Sequence, residues 1–306
     1  MTATETDLPP EPKGRVLIIA GSDSSGGAGI QADIKAVTVL GGYAATAITA
    51  LTVQNTKGVM AVHGAPMDIV SGQIAAVLDD IGADAIKTGM LASAEVIDAV
   101  IAALDEAGAE LIPLIVDPVM VASSGARLIG EDAVEALKKK LVRRAMLVTP
   151  NVPEAEALTG VKVEDVDGQR EAGEALLKLG ARAALIKGGH LDGPQVIDVL
   201  VTRNGMRIFS RPRIKTRHTH GTGCTLASAI AALVAQGAPL DRAVEEAGDY
   251  LHEAIRRAPG FGSGAGPVHH GWPLDMEAEA EAPSGPLAAG LAGLAGLAGS
   301  VPDKDA

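Results

Sequence analysis

Short apolar runs alternate with amphipathic helical segments along most of this chain, and this alternation constrains its fold more than any other feature. The runs at 15–20, 112–118 and 145–150 are rich in aliphatic residues, which is typical of strands buried on both faces. Most runs lead into a segment whose apolar residues recur at helical spacing. Repeated alternation of this kind predicts an α/β fold of three layers, α/β/α, with a mostly parallel central sheet.

Residues 14–273 contain no linker-like stretch, so we expect them to form one domain. Residues 1–13 are polar and contain proline, and residues 274–306 are of low complexity, so we expect both segments to be disordered tails. Within the domain we predict strands at 15–20, 43–54, 58–64, 84–89, 112–118, 145–150 and 181–189, an antiparallel hairpin at 196–202 and 205–211, and helices at about 28–40, 67–80, 93–107, 131–142, 153–159, 168–179, 223–236 and 239–257.

Composition and charge argue against several classes of partner. The chain has a formal net charge of −12 and few aromatic residues (one Trp, two Tyr and two Phe), whereas nucleic-acid binding needs cations and stacking rings. No uninterrupted apolar run reaches the about 18 residues of a membrane span, and we expect no signal peptide in the polar N-terminus. The single cysteine, Cys224, excludes an intramolecular disulfide, so we expect a cytoplasmic location.

Glycines and functional side chains follow six of the predicted strands. Ligands of open α/β sheets bind beyond the carboxyl ends of the strands, so these positions are candidates for one large site. Their side chains suit a metal ion, a phosphate or a heterocycle. The positions are 21–29, Gln54 and Asn55, Gly89 and Met90, 117–120, Asn151 and Glu154, and 187–189.

The segment 220–224, His-Gly-Thr-Gly-Cys, predicts an anion-binding corner. Its glycines let the backbone approach a phosphate closely, and the apolar run that follows predicts a helix whose first N–H groups hold negative charge. The chain has neither the G-x-x-x-x-G-K-[ST] phosphate loop nor a dinucleotide fingerprint with its acidic ribose reader. These features together indicate phosphoryl transfer on a scaffold other than those two.

Eight motifs occur in an order that resembles one known family. They are AGSDSSGGAGIQAD, ALTVQNT, KTGML, DPVM with SSG, TPNVPEA, KGGH, THGTGCT and GPVHH, and they span about residues 15–270. The set resembles the hydroxymethylpyrimidine/phosphomethylpyrimidine kinases of thiamine biosynthesis, members of the ribokinase-like superfamily. The resemblance implies the ribokinase-like version of the three-layer fold and a homodimer.

The same resemblance implies an activity. The family uses ATP and Mg²⁺ to phosphorylate 4-amino-5-hydroxymethyl-2-methylpyrimidine and then phosphorylates the monophosphate to the diphosphate. A glutamine amide offers an acceptor and a donor that complement the amino group and ring nitrogen of this heterocycle, and Met90 and Val119 can sandwich a flat ring. The implied pyrimidine pocket consists of Gly21, Asp33, Gln54, Met90, Val119 and Cys224.

The phosphate and metal side is implied by a second group of residues. Asp117 and Glu154 are the expected ligands of Mg²⁺, which prefers oxygen and keeps several waters. Asn151 begins the N-x-x-E motif and, with Lys187 and Thr222, is expected to contact the nucleotide phosphates. The expected catalytic group is Gly221, Thr222, Gly223, Cys224 and Lys187.

Cys224 stands where most ribokinase-like enzymes carry an aspartate base. A helix N-terminus lowers the pKa of a thiol, so we expect a fraction of Cys224 to be thiolate and to accept the proton of the hydroxymethyl group. The second reaction uses an ionised phosphate oxygen and needs no base. A mostly neutral thiol would not repel that phosphate, whereas a carboxylate would.

Two other functions are compatible with these residues. A pyridoxal or pyridoxine kinase of the same superfamily also phosphorylates a hydroxymethyl group on an aromatic heterocycle. A non-catalytic pyrimidine-binding regulator could keep the fold, although Asp117, Glu154, Lys187 and Cys224 are all present and favour an enzyme.

Overall fold

Strand β1 (Arg15–Asp23) shows how both faces of the sheet are covered. The four residues 16–19 have no solvent exposure. Val16 and Ile18 belong to one hydrophobic cluster, whereas Leu17 and Ile19 belong to another. Successive side chains of a strand point to opposite faces, so each face of the sheet has its own core.

A computed structural model describes residues 13–120 and 130–281 of the chain. The remaining strands are β2 (Tyr43–Asn55), β3 (Gly58–Gly64), β4 (Ala85–Thr88), β5 (Leu114–Val116), β6 (Leu147–Val148), β7 (Ala183–Ile186), β8 (Gln195–Thr202) and β9 (Gly205–Pro212). The helices are α1 (Gly29–Val39), α2 (Met67–Asp80), α3 (Ala94–Glu106), α4 (Glu131–Ala136), α5 (Val152–Thr159), α6 (Val166–Leu179), α7 (Thr222–Ala235), α8 (Leu240–Arg256) and α9 (Trp272–Glu281).

The described residues form one nine-stranded sheet in the order β3-β2-β1-β4-β5-β6-β7-β8-β9. The six strands from β2 to β7 in this order are parallel, and β3, β8 and β9 are antiparallel to their neighbours. The predicted mostly parallel sheet and the hairpin of β8 and β9 are therefore confirmed. The chain moves from β1 to β2 on one side and returns to β4 on the other, which creates a topological switch point beside β1.

Helices cover both faces, as the sequence predicts. One cluster packs α2 to α6 against the face that includes Leu17 and Ile86. The other packs α1, α7 and α8 against the face that includes Val16 and Ile115. Helix α7 is almost completely buried, with residues 225–232 inside the protein. Its N-terminus is thereby fixed at the carboxyl ends of the central strands.

The structure differs from the sequence prediction at two helices. The predicted helix at 131–142 is α-helical only to Ala136 and continues as a π-helical segment, Leu137–Val142. Helix α9 extends to Glu281, whereas the sequence predicts a disordered tail from residue 274. His269 Nε2 and Asp275 Oδ2 lie 2.7 Å apart and connect the start of α9 to the preceding segment. Across the described residues, no helix combines the length and hydropathy that crossing a membrane requires.

Candidate active site

The floor of the predicted heterocycle pocket lies at the switch point between β1 and β4. Gly21 and Met90 pack directly against each other, because a Cβ added to Gly21 would lie 2.4 Å from Met90 Cε. A side chain at position 21 would displace the end of the Met90 side chain from this place. The structure thus brings two residues predicted from distant motifs into one wall.

A glycine-rich loop after β1 is organised by Asp23. Its carboxylate accepts hydrogen bonds from the backbone N–H of Ser25 at 2.8 Å and of Ala28 at 2.9 Å. His220 Nε2 lies 2.7 Å from the same carboxylate and donates to it. Burial alone would raise the pKa of Asp23, but the hydrogen bonds from His220 and Ser25 outweigh it and lower the pKa to about 2. Asp23 is therefore ionised and holds the loop to the segment that precedes α7.

Gln54 lies at the end of β2 beside this loop. The backbone of Gln54 is held by Ser24 through two hydrogen bonds. The Gln54 N–H donates to Ser24 Oγ at 2.9 Å, and the Gln54 carbonyl accepts from the same hydroxyl at 2.9 Å. The amide Nε2 of Gln54 lies 3.4 Å from His220 Nε2, and the amide Oε1 accepts from Thr52 Oγ1 at 3.2 Å. The amide predicted to bind the heterocycle is thus held between a ring nitrogen and a hydroxyl.

Asp33, predicted to line the heterocycle pocket, is paired in the structure with a buried lysine and a serine. Its carboxylate is completely buried and accepts from Lys87 Nζ through both oxygens at 2.9 Å and from Ser228 Oγ at 2.7 Å. Asp33 therefore serves as the counter-ion of a buried lysine, and its contact with a ligand stays a prediction. The sequence alone does not single out Lys87 or Ser228. The apolar surroundings of Lys87 in β4 were the available signal, since a buried lysine requires an anionic partner.

The N-terminus of α7 is the predicted anion corner. Gly221 caps the helix in the left-handed conformation with φ +79, and a Cβ there would lie only 1.8 Å from the carbonyl oxygen of Gly27. This close approach requires glycine. The first N–H groups of a helix have no partner within the helix, so those of Gly223 and Cys224 can meet an anion. Thr222 lies beside them, and its hydroxyl donates to the carbonyl of Thr219 at 3.1 Å.

Asp117, Lys187 and Gly223 converge at this corner. Lys187 Nζ lies 3.2 Å from Asp117 Oδ1. A Cβ added to Gly223 would lie 3.2 Å from Lys187 Nζ and 3.6 Å from Asp117 Oδ2. The structure therefore brings together a carboxylate from the end of β5, an ammonium group from the end of β7 and the first turn of α7. The charge of Asp117 raises the pKa of Lys187 against the opposing effect of burial, so the ammonium stays charged.

Asn151 and Glu154 form a capping box at the start of α5. The Asn151 side chain accepts from the Glu154 backbone N–H at 3.0 Å, and the Glu154 carboxylate accepts from the Asn151 backbone N–H at 2.8 Å. Burial raises the pKa of Glu154 to about 7, although the charge of Lys187 acts in the opposite direction. Asn151 also pairs through its backbone with Lys187. Capping fixes the Glu154 carboxylate close to Asp117 and Lys187.

Val119 and two histidines complete the placement of the predicted residues. The backbone N–H of Val119 donates to the carbonyl of Asp117 at 2.9 Å, so Val119 lies at the rim where β5 ends. The SSG motif falls on residues 121–129, outside the described part of the chain. His270 of the GPVHH motif is buried, with Nε2 2.9 Å from Thr225 Oγ1, whereas His269 is partly exposed.

The thiolate expected at Cys224 is wrong for this structure. Burial raises the pKa of the thiol from 9.0 to about 12, and this exceeds the lowering effects of the Lys87 charge and the Gly29 backbone N–H. The charges of Asp33 and Asp117 raise the pKa further. Cys224 therefore lies at the helix N-terminus as a neutral thiol, because desolvation outweighs the lowering effects of Lys87 and Gly29.

Comparison with known proteins shows the family of the chain. The family model for phosphomethylpyrimidine kinase matches residues 23–269. The chain is 52% identical to the thiamine biosynthesis bifunctional protein ThiED of Geobacter sulfurreducens over 85% of this chain and 53% of that protein. It thus spans about half the length of that relative. It is 45% identical to the hydroxymethylpyrimidine/phosphomethylpyrimidine kinase of Bacillus subtilis, over 84% of this chain and 94% of that protein.

Solved structures give the same result. The phosphomethylpyrimidine kinase of Clostridium difficile is 44% identical with a TM-score of 0.71, over 79% of this chain and 100% of that one. The ADP complex of Bacillus subtilis pyridoxal kinase is 34% identical with a TM-score of 0.78, over 84% and 97% of the two chains. The Staphylococcus aureus pyridoxal kinase in complex with AMP-PCP and pyridoxal is 33% identical with a TM-score of 0.78, over 84% and 93%. These neighbours establish the ribokinase-like fold, and the chain belongs to the phosphomethylpyrimidine kinase family.

Proposed function

We propose that this kinase transfers phosphate from ATP to 4-amino-5-hydroxymethyl-2-methylpyrimidine and then phosphorylates the monophosphate to the diphosphate. The observation that carries the proposal is the convergence of Lys187, Asp117 and Gly223 at the N-terminus of α7. The heterocycle lies against Gly21, Met90 and Gln54, which presents its hydroxymethyl group toward Cys224. Val119 closes the other side of the ring.

The corner at α7 binds the phosphoryl group during transfer. Negative charge in this reaction is spread over the equatorial oxygens, and fixed donors stabilise it more effectively than mobile water. The Lys187 ammonium and the N–H groups of Gly223 and Cys224 supply those donors. Asn151 and Thr222 contact the remaining phosphates of the nucleotide.

Asp117 and Glu154 fit a magnesium ion as partial rather than complete ligands. No group of three or more His, Cys, Asp or Glu side chains with metal-site geometry occurs among the described residues. Mg²⁺ in phosphotransferases is bound by one or two carboxylates, with waters and substrate phosphates at the other positions. Burial without a full counter-charge raises the pKa of Glu154, so a cation there favours the ionised carboxylate. When bound, Mg²⁺ neutralises charge on the phosphates and orients them.

The neutral thiol of Cys224 suits both acceptors. A loose phosphoryl-transfer transition state requires little prior loss of the hydroxyl proton, so Cys224 orients the hydroxymethyl group without being a preformed base, and the proton passes to an oxygen of the transferred phosphoryl group as the new P–O bond forms. The monophosphate of the second reaction brings an ionised oxygen to the same place. An uncharged thiol admits it without adding repulsion.

The decisive experiment incubates the protein with ATP, Mg²⁺ and the aminopyrimidine, and follows mono- and diphosphate by mass spectrometry. We expect both products in sequence. The variant Gln54→Ala should raise KM for the pyrimidine, while exposed Gln195→Ala, on β8 away from the site, should match the wild-type protein. Absence of either product from an ATP-competent preparation would refute the proposal.

Pyridoxal is the second candidate substrate, because two of the solved neighbours are pyridoxal kinases with TM-scores of 0.78. A competition assay with equal concentrations of pyridoxal and the aminopyrimidine separates the two functions. We expect a higher kcat/KM for the aminopyrimidine. A homodimer and a cytoplasmic location also stay predictions, which light scattering of the purified protein and fractionation of the producing cell would test.

A further inference from the structure

The loop 188–194, which joins β7 to β8, is held by one arginine that follows β9. Arg213 donates through Nη1 to the carbonyl of Gly189 at 2.9 Å and through Nε to the carbonyl of Gly193 at 2.8 Å. Its Nη2 donates to the carbonyl of Leu191, and its backbone N–H donates to the carbonyl of Pro194 at 2.9 Å. A guanidinium group presents its N–H donors in one rigid plane, so these bonds fix the path of the loop.

The loop 188–194 begins directly after Lys187, whose ammonium group belongs to the phosphate corner. The backbone N–H of Gly188 donates to Asp198 Oδ1 at 2.9 Å, which anchors the start of the loop to β8. Burial and the charge of Lys187 lower the pKa of His190, so the loop lies within electrostatic reach of that ammonium group. A change in the path of the loop would therefore alter the surroundings of Lys187.

The chemistry of the transfer determines which part of the substrates this loop faces. The attacking and leaving oxygens of a phosphoryl transfer lie roughly in line, on opposite sides of the phosphorus. The heterocycle pocket lies at the ends of β1, β2 and β4, whereas the phosphate corner uses the ends of β5 and β7. In the sheet order, the loop after β7 lies beyond the corner, on the side away from the heterocycle. The leaving nucleoside diphosphate therefore meets this loop.

We infer that Arg213 is a positioning residue for the nucleotide, because its guanidinium shapes the loop 188–194 into a wall that receives the ADP part of ATP. The three contacts of the guanidinium go to loop carbonyls, so Arg213 acts through the backbone of the loop rather than on the reacting atoms. The pyrimidine pocket does not depend on it. The inference rests on the proposed function, since that function places the phosphate acceptor on the β1 side of the corner.

The composition of the loop is the reason that such a clamp matters. Three of its seven residues are glycine, and Gly193 has φ +127, which other residues rarely adopt. Leu191 packs against the hydrophobic core, whereas most of the other loop residues are exposed. A glycine-rich exposed loop loses backbone entropy when it orders around a ligand. A loop already shaped by Arg213 loses less, and the nucleotide binds more tightly.

The test measures the binding of the two substrates separately, by isothermal titration calorimetry with MgADP and with the aminopyrimidine. Arg213→Met removes the guanidinium, whereas Arg213→Lys keeps the charge but cannot reproduce the planar set of donors. We expect Arg213→Met to weaken binding of MgADP about tenfold and to leave binding of the aminopyrimidine within about twofold of wild type. In the kinase assay, KM for ATP should rise by a similar factor, while kcat should change less than about threefold. Arg213→Lys should weaken binding of MgADP about threefold.

Exposed Arg203→Met, in the turn between β8 and β9, is the matched control and should bind both compounds like wild type. Hydrogen–deuterium exchange of the peptide that spans 188–194 gives a readout independent of activity. Exchange should be faster in Arg213→Met than in wild type, and MgADP should slow it in wild type.

If Arg213→Met does not fold, the affinity of Arg213→Lys for MgADP decides the question. An unchanged affinity for MgADP, or an equal loss of affinity for MgADP and the aminopyrimidine, would overturn the inference. A wild-type protein that binds both compounds but forms no phosphorylated pyrimidine would instead refute the proposed function.

Discussion

Two lysine–aspartate pairs lie beneath the same helix N-terminus, but they differ in burial and in the number of contacts between the two charged groups. Lys87 and Asp33 have no exposed side-chain surface, and both carboxylate oxygens lie 2.9 Å from the ammonium group. Lys187 is 14% exposed and makes one contact of 3.2 Å with Asp117. The charged groups of Lys87 and Asp33 are satisfied within the protein, whereas Lys187 and Asp117 can still bind a phosphate or a cation.

This difference distinguishes a pair that holds the fold together from a pair that is available for catalysis, although all four residues are charged. The pair of Lys87 and Asp33 joins β4, α1 and, through Ser228, α7 beneath the heterocycle pocket. The pair of Lys187 and Asp117 lies where phosphate and metal are expected. A charged residue near an active site is thus not evidence of catalysis until its partners have been counted.

Lys87→Met should give the largest loss of stability. It leaves the Asp33 carboxylate buried without a counter-ion, which costs about 3–5 kcal/mol in the free energy of unfolding. Replacing both residues, as Lys87→Met with Asp33→Leu, should recover much of that loss. Chemical denaturation of wild type, the single variant and the double variant measures it. If the free energy of unfolding of Lys87→Met alone lies within about 1 kcal/mol of wild type, the two pairs do not differ as described.

Lys187→Met should reduce catalysis more than stability. Removal of one fixed donor to the transferring phosphoryl group lowers kcat by about 10²–10³-fold. The loss of stability should be less than half that of Lys87→Met, because Asp117 borders the open corner and can gain a cation from solution. Steady-state kinetics and denaturation compare the two, with exposed Lys178→Met as the control. A large loss of stability with normal kcat would reverse the assignment.

Glu154 lies beside the pair of Lys187 and Asp117 and makes the stability of the protein depend on pH. Burial raises its pKa from 4.5 to about 7, so the folded chain binds this proton more tightly than the unfolded chain does. Its contribution to stability is therefore present below pH 4.5 and lost as the pH rises through about 7. Denaturation of the metal-free protein should show a fall of up to about 3 kcal/mol across this window. Glu154→Gln should flatten the profile, and added Mg²⁺ above pH 7 should stabilise wild type but not the variant.

Cys224→Asp should produce the smallest effect, a difference between the two reactions. An added carboxylate near Asp117 and Asp33 repels the phosphomonoester acceptor more than the neutral alcohol. We expect the second phosphorylation to fall about tenfold more than the first, which corresponds to about 1.4 kcal/mol. Product ratios by mass spectrometry give the result, and Cys224→Ser separates charge from size. Equal losses in both steps would exclude the electrostatic explanation.

Much of the fold follows from the sequence because apolar periodicity is a local signal. Each predicted strand has a counterpart in the sheet, and the rim at the strand ends brings Gly21, Met90, Asp117 and Lys187 to one region. Helix α9 is the exception, since its acidic and alanine-rich sequence shows no apolar stripe. Its first residues are held by partners such as Tyr250 and Arg257, which stack on Trp272.

The details of the site depend on distance and burial, which the sequence does not contain. Lys87 and Asp33 are 54 residues apart, so their pairing is invisible until β4 and α1 are placed together. Cys224 has the sequence context of an activated thiol, yet its buried environment decides its protonation. The dipole of a helix N-terminus is a local property, whereas desolvation is a property of the whole fold.

The bond between His220 and Asp23 joins residues 197 positions apart, and Gly221 meets Gly27 over a similar separation. Strand β1 and its loop are synthesised well before the segment that precedes α7. Contacts of such long range form late, because closing the intervening chain costs entropy. A nascent chain therefore cannot phosphorylate anything until α7 has emerged, so activity itself can report on the completion of folding during synthesis.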